Sequence, residues 1–179
     1  MVVGFEGMTT SSATGSFVFS DGTVAPDGLF TSAEANLFLV GATGGMKVIT
    51  NKDYSTGCLI AAGGGTWQCT SSKDVKRDFE DIDRQQVLER VVALPVQRWR
   101  YMNEPTAIRH MGTFAQDFHA AFGLGSDDKT ISMADADGVA LAAIQGLNAK
   151  VEASDAIIRQ LSRELAEIKA QLAGVVAAH

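Results

Sequence analysis

From Ile144 to Val175 the chain repeats apolar residues at alternating spacings of three and four, a pattern that few folds can absorb. One series is Ile144, Val151, Ile158, Leu165 and Leu172, and the interleaved series is Leu147, Ser154, Leu161, Ile168 and Val175. Nine of these ten positions are apolar, which makes the seam of a coiled coil. Glu164, Glu167 and Lys169 lie on its flanks. A helix from about Ala140 to Val175 runs ~50 Å at roughly 1.5 Å per residue. That is longer than a small domain can cover, so the seam is expected to meet other copies of the chain. Ile and Val mixed with Leu in both series do not specify a dimer, and a homotrimer is the expected state. Ser154, the polar core position, is expected to set register.

The rest of the chain is written differently. Residues 1–70 hold 12 of the 18 glycines, no arginine and, as basic residues, only Lys47 and Lys52. The other 13 of the 15 basic residues lie in residues 71–179. This asymmetry predicts a boundary near residue 70. With 46% hydrophobic and 20% charged residues a packed core is expected rather than disorder. The net charge of −6 argues against nucleic acid or an anionic membrane as partner, since both need a basic face. No stretch approaches the ~18–20 apolar residues of a membrane span. Residues 1–10 lack the basic start and apolar run of a signal peptide. Strand signals begin so soon after Met1 that the chain is expected to be part of a longer protein.

The first segment reads as short strands with tight turns. Ser16 to Phe19 precede Asp21-Gly22, a hairpin-type turn signal. Asn36 to Val40, Met46 to Thr50 and Cys58 to Ala62 are further strands, the last closed by Gly63-Gly64-Gly65. The triple glycine reads as a turn, because no Gly-Lys-Ser/Thr follows to cradle a phosphate. Strands this short make a poor independent core and are expected to wrap against other chains. Cys58 and Cys69 are expected to be free, structural thiols in a chain without an export signal.

The middle segment, 71–138, is mixed. Asp81 to Ala93 is an amphipathic helix ended by Leu94-Pro95. Val96 to Met102 places Trp99 and Tyr101 on one face of a strand, and Asn103-Glu104-Pro105 turns the chain. His110 to Thr113 is a short extended piece. Ala115 to Phe122 is a helix with Phe118 and Phe122 four apart, stopped by Gly123. Asp127-Asp128, Asp135 and Asp137 are acidic residues near turns, expected to be solvated rather than metal-binding. His110, His119 and His179 show no ligand spacing with the cysteines, so neither metal nor cofactor is expected. The whole is an α+β chain: a β-rich stem over 1–70, a small mixed domain over 71–138 and a coiled-coil helix over 139–179.

Chemistry concentrates at Thr70-Ser71-Ser72-Lys73-Asp74-Val75-Lys76, on the composition boundary. A lysine can act as base for a serine when apolar burial favours its neutral form. On spacing alone, a solvated polar loop is the other reading of the same residues.

Four matches from Gly63 to Lys150 carry a resemblance. They are Gly65-Thr66-Trp67 followed by Ser71 and Lys76; Leu94-Pro95-Val96 with Trp99 and Tyr101; His110-Met111-Gly112 with Ala115-Gln116-Asp117-Phe118; and Asp135-Ala136-Asp137-Gly138 leading into Val139 to Leu147. In that order they resemble the C-terminal intramolecular chaperone, or S74 peptidase, family, which closes endosialidases, tail spikes and phage or prophage tail fibres. Many members carry aspartate directly after the serine, where this chain has Ser72.

The resemblance implies a domain that folds a β-rich fibre or spike as a homotrimer and then cuts itself at Thr70–Ser71. Ser71 is the implied nucleophile and Lys76 its base, while His110 and Gln116 take supporting, structural roles. It implies a virion tail fibre or prophage product assembled in the host cytoplasm, with the upstream fibre or spike as partner. Two other readings stay open: a non-cleaving trimerisation cap retained on the fibre, and a receptor-binding adhesin tip. Trp67 and Trp99 are expected in the core rather than in a sugar site.

Overall fold

The structure, a computed structural model, describes residues 7–9, 15–21, 30–32 and 35–177. The chain divides into two units, Met1–Phe79 and Glu80–His179.

The first unit is built from short strands. β1 (Gly7–Thr9) pairs with β3 (Phe30–Ser32), and β2 (Phe17–Ser20) pairs with β4 (Phe38–Gly41), both in parallel. The β2–β4 register sets Phe17 opposite Phe38, and their rings stack with centroids 5.0 Å apart. This corrects the hairpin expected at Asp21-Gly22. The strand before Asp21 finds its partner across a long connection, and the Asp21 carboxylate accepts the N–H and hydroxyl of Thr43. Gly22 lies outside the described residues.

β5 (Gly45–Ile49), β6 (Gly57–Ala61) and β7 (Trp67–Cys69) form an antiparallel meander. The β6–β7 turn uses the glycines as expected, with Gly63 at φ +68° and the Gly64 N–H on Ala61 O at 2.9 Å. Two expectations fail here. Cys58 and Cys69 form a disulfide, because the β6–β7 register makes them direct cross-strand neighbours with Cα atoms 4.0 Å apart. Trp67, expected in the core, is 44% exposed, since β7 is an edge strand.

The second unit is helical around a small hairpin. α1 (Arg84–Ala93) starts at Asp83, whose carboxylate accepts the N–H of Gln85 and of Gln86, and ends at Leu94 before Pro95. β8 (Gln97–Trp99) pairs antiparallel with β9 (His110–Gly112). Tyr101 lies beyond β8, its ring edge-on to Trp99 at 4.9 Å. α2 (Ala115–Phe122) ends where Gly123 turns left-handed at φ +65° and donates to His119 O.

α3 (Met133–Ala177) begins seven residues before the expected start at Ala140. Asp135 and Asp137 are therefore helical rather than near turns. The missed signal is Ser132 with Asp135 three residues on, a pattern that opens helices and sets a carboxylate in the first turn. α1 crosses α3 at Gly146, where backbone meets backbone: a Cβ there would fall well inside contact distance of the Arg84 carbonyl oxygen. Among the described residues, the buried hydrophobic side chains are Phe118, Val139, Ala142 and Ala143. Beyond them the α3 seam lies open on the single chain, from Val151 at 49% exposure to Ile144 and Leu172 at 62%. No helix among the described residues is long and apolar enough to cross a membrane.

Candidate active site

The site is built at the exit of β7. Thr70 donates both its N–H (2.9 Å) and its hydroxyl (3.1 Å) to the carbonyl of Gly57, the first residue of β6. Gly57 lies against β5 so closely that a Cβ would collide with the Val48 carbonyl oxygen. The Cys58–Cys69 bond ties the same two strands at the neighbouring residue of each. The acyl side of the Thr70–Ser71 bond is thus held by two hydrogen bonds and one covalent link.

The downstream side is held differently. Residues Lys73–Val75 form one 3-10 turn capped by Ser72, whose hydroxyl accepts the Asp74 N–H at 3.2 Å and donates to the Asp74 carboxylate at 3.0 Å. The Lys76 N–H closes the turn on Lys73 O at 3.0 Å. This fold-back brings the Lys76 Nζ to 2.7 Å from the Ser71 Oγ. Ser72, by contrast, spends its hydroxyl on the cap. Both Ser71 and Lys76 are exposed on the single chain. An open cleft of about 600 Å³ adjoins Lys76, with Asn51, Asp53, Ser55 and Thr56 on one wall and Asp74 to Arg77 on the other. The Asp53 carboxylate lies below the usual aspartate value, held there by the Ser55 hydroxyl and N–H.

A hydroxyl and an amine at 2.7 Å can exchange a proton along their hydrogen bond. With the amine neutral, the same contact serves to deprotonate the serine as it attacks. The Thr70 carbonyl carbon is bonded to the Ser71 nitrogen, so attack on it by the Ser71 Oγ would close a five-membered ring, whereas attack on the serine's own carbonyl would close a strained four-membered one.

His110 and Gln116 belong to the second unit. The His110 Nε2 sits 2.9 Å from the Glu104 carboxylate, and its ring packs on Trp99 at 4.7 Å and Tyr101 at 5.5 Å. Glu104 also accepts the Tyr101 N–H at 2.9 Å, which is the main reason its carboxyl lies below the usual value; His110 and Arg100 act in the same direction. Gln116 is exposed in the first turn of α2. Among the described residues, no cluster of three or more His, Cys, Asp or Glu side chains is arranged for a metal ion.

The anchoring by Gly57, the disulfide and the Ser72 cap were not foreseen. The Ser72-x-Asp74 pattern is a local signal for the cap, whereas the other two depend on strand register. No curated protein and no solved structure matches the chain. Residues 71–123, which open on Ser71 and include Lys76, match the family model for the chaperone of endosialidase, Peptidase S74, and this match supports an intramolecular chaperone domain there.

Proposed function

We propose that this chain trimerises a phage or prophage tail fibre or spike and then cuts itself at Thr70–Ser71. In this reading residues 1–70 end the fibre stem, 71–138 form the self-cleaving core, and 139–179 are the trimerising helix. The observation that carries it is the 2.7 Å contact between Lys76 Nζ and Ser71 Oγ, at the first residue of the family match.

The mechanism has three steps. Neutral Lys76 takes the Ser71 hydroxyl proton as the oxygen attacks the Thr70 carbonyl carbon. The C–N bond breaks, Lys76 returns the proton to the departing Ser71 nitrogen, and the Thr70 acyl group rests on Ser71 Oγ as an ester. Water then hydrolyses the ester to leave a Thr70 carboxylate and a free Ser71.

The base works only when neutral, and burial favours that form. Ser71 and Lys76 are exposed on the single chain, so the burial comes from neighbouring copies once they assemble. This delays the cut until folding has succeeded. The open α3 seam and the few buried hydrophobics among the described residues support assembly in the same way: they leave apolar surface for other copies to cover.

The test is a denaturing gel with mass spectrometry. Wild type gives two fragments, the second beginning at Ser71, while Ser71→Ala and Lys76→Ala each stay whole. An assembled wild-type chain that remains uncut favours the retained, non-cleaving cap. A Ser71→Ala chain that still cuts refutes the assigned nucleophile.

A further inference from the structure

The Cys58–Cys69 disulfide stands next to the Thr70–Ser71 bond, and nothing in the mechanism above uses it. Its position is specific. Cys69 precedes Thr70, and Cys58 follows Gly57, whose carbonyl receives both Thr70 donors. Those bonds hold only while the end of β7 stays on β6. β7 is three residues long, exposed along its length and an edge strand, so its own ladder holds it weakly and the end next to Thr70 is the part most prone to fray. The cross-link closes that end covalently. Ser71, by contrast, is fixed from the other side, through Ser72, the 3-10 turn and Lys76. The attacking oxygen and the attacked carbonyl thus sit on separately anchored segments, and the disulfide fixes the second of them.

We propose that Cys58 and Cys69 are positioning residues for self-cleavage, so that the cut is fast with the disulfide closed and slow with it open. This rests on the Ser71–Lys76 reading. The switch is a two-electron exchange. Two thiols pass two electrons and two protons to a small-molecule disulfide, which becomes two thiols while Cys58 and Cys69 join; a thiol reductant runs the exchange backwards. Small-molecule thiols keep the cytosol reducing, so a chain made there holds its cut back until it reaches a more oxidising medium. Attack geometry is sensitive enough for this, since about 1 Å of misplacement is worth up to roughly 100-fold in rate.

The experiment makes the full chain by cell-free translation in reduced or oxidised glutathione. Thiol alkylation reports the disulfide, a native gel the assembled fraction, and a denaturing gel the first-order rate of cutting per assembled chain. The Cys58→Ala/Cys69→Ala double variant is run in both media. The expected result is a wild-type rate about tenfold or more higher in oxidised than in reduced glutathione, with the double variant slow in both. A wild-type rate equal in the two media, with the disulfide verified in one, overturns the proposal and leaves the Ser71–Lys76 reading standing. So does a double variant that cuts as fast as the oxidised wild type. Loss of assembly with an unchanged rate per assembled chain assigns the disulfide a structural role only and also overturns it. No cutting in any sample overturns the Ser71–Lys76 reading and this proposal with it.

Discussion

The crossing of α1 over α3 at Gly146 gives the sharpest test of the second unit. A Cβ on Gly146 meets not only the Arg84 carbonyl oxygen but also the Arg84 carbonyl carbon at 2.9 Å and the Leu88 Cβ at 3.2 Å. Two of these three atoms are backbone, so no rotamer change relieves them, and the Gly146→Ala change pushes the helices apart. That separation loosens the packing on Val139, Ala142 and Ala143, the buried face of α3. Overpacking of this kind costs about 1–3 kcal/mol, and alanine returns up to about 1 kcal/mol of helix propensity. The net is a loss of up to about 2 kcal/mol, which lowers the Tm by up to roughly 8 °C for a chain of this size. Gly138 is the internal control: it lies in the same helix, and a Cβ added there meets nothing within 4 Å. Gly138→Ala keeps only the propensity gain and raises the Tm by roughly 2–4 °C. Circular dichroism at 222 nm, at one fixed chain concentration, follows both. A Gly146→Ala protein that gains as much in Tm as Gly138→Ala does refutes the close crossing.

Two further predictions concern assembly and acid. Replacing Ile158, Leu161 and Leu165 with Asn removes three apolar side chains that are 59%, 57% and 52% exposed on the single chain. Light scattering is expected to find a monomer, and that monomer is expected to stay uncut; efficient cutting by it sinks the link between assembly and scission. Glu104 and Asp127 are both held below their ordinary values of 4.5 and 3.8, first by the Tyr101 and Lys129 backbone N–H groups respectively. A depressed carboxylate contributes stability above its unfolded value and loses it as pH falls through the folded value. Glu104→Gln and Asp127→Asn are therefore expected to destabilise the chain in urea at pH 7, and by less at pH 3. An equal deficit at both pH values refutes the charge argument.

Elements whose signals are local were legible. α2 spans the residues its sequence predicts, because Gly123 supplies the left-handed stop and Phe118 and Phe122 mark the packed face. β5 and β6 lie within a residue of their predicted runs. What could not be read was register between distant residues. Nothing in Phe17–Ser20 announces that its partner is Phe38–Gly41 in parallel. Nor do two cysteines eleven residues apart announce a disulfide until the β6–β7 turn sets them opposite. The site shows the same division. Five residues of extended chain separate Ser71 from Lys76 by ~16 Å at roughly 3.3 Å per residue. Only the 3-10 turn capped by Ser72 folds that spacing into a hydrogen bond. The plus-five spacing is visible in the sequence as a resemblance, while its physical reason lies in the turn.

That turn also bears on the Ser72 departure from the family pattern. A carboxylate directly after Ser71 would stand where Ser72 now accepts from the Asp74 N–H and donates to the Asp74 side chain. An aspartate at 72 can accept that N–H equally well, but it would face Asp74 as a like charge. In this chain the carboxylate stands two residues later, and the hydroxyl bridges it to the cap. The anchor therefore survives the substitution with its charge displaced, and Lys76 is still returned to Ser71 rather than to Ser72.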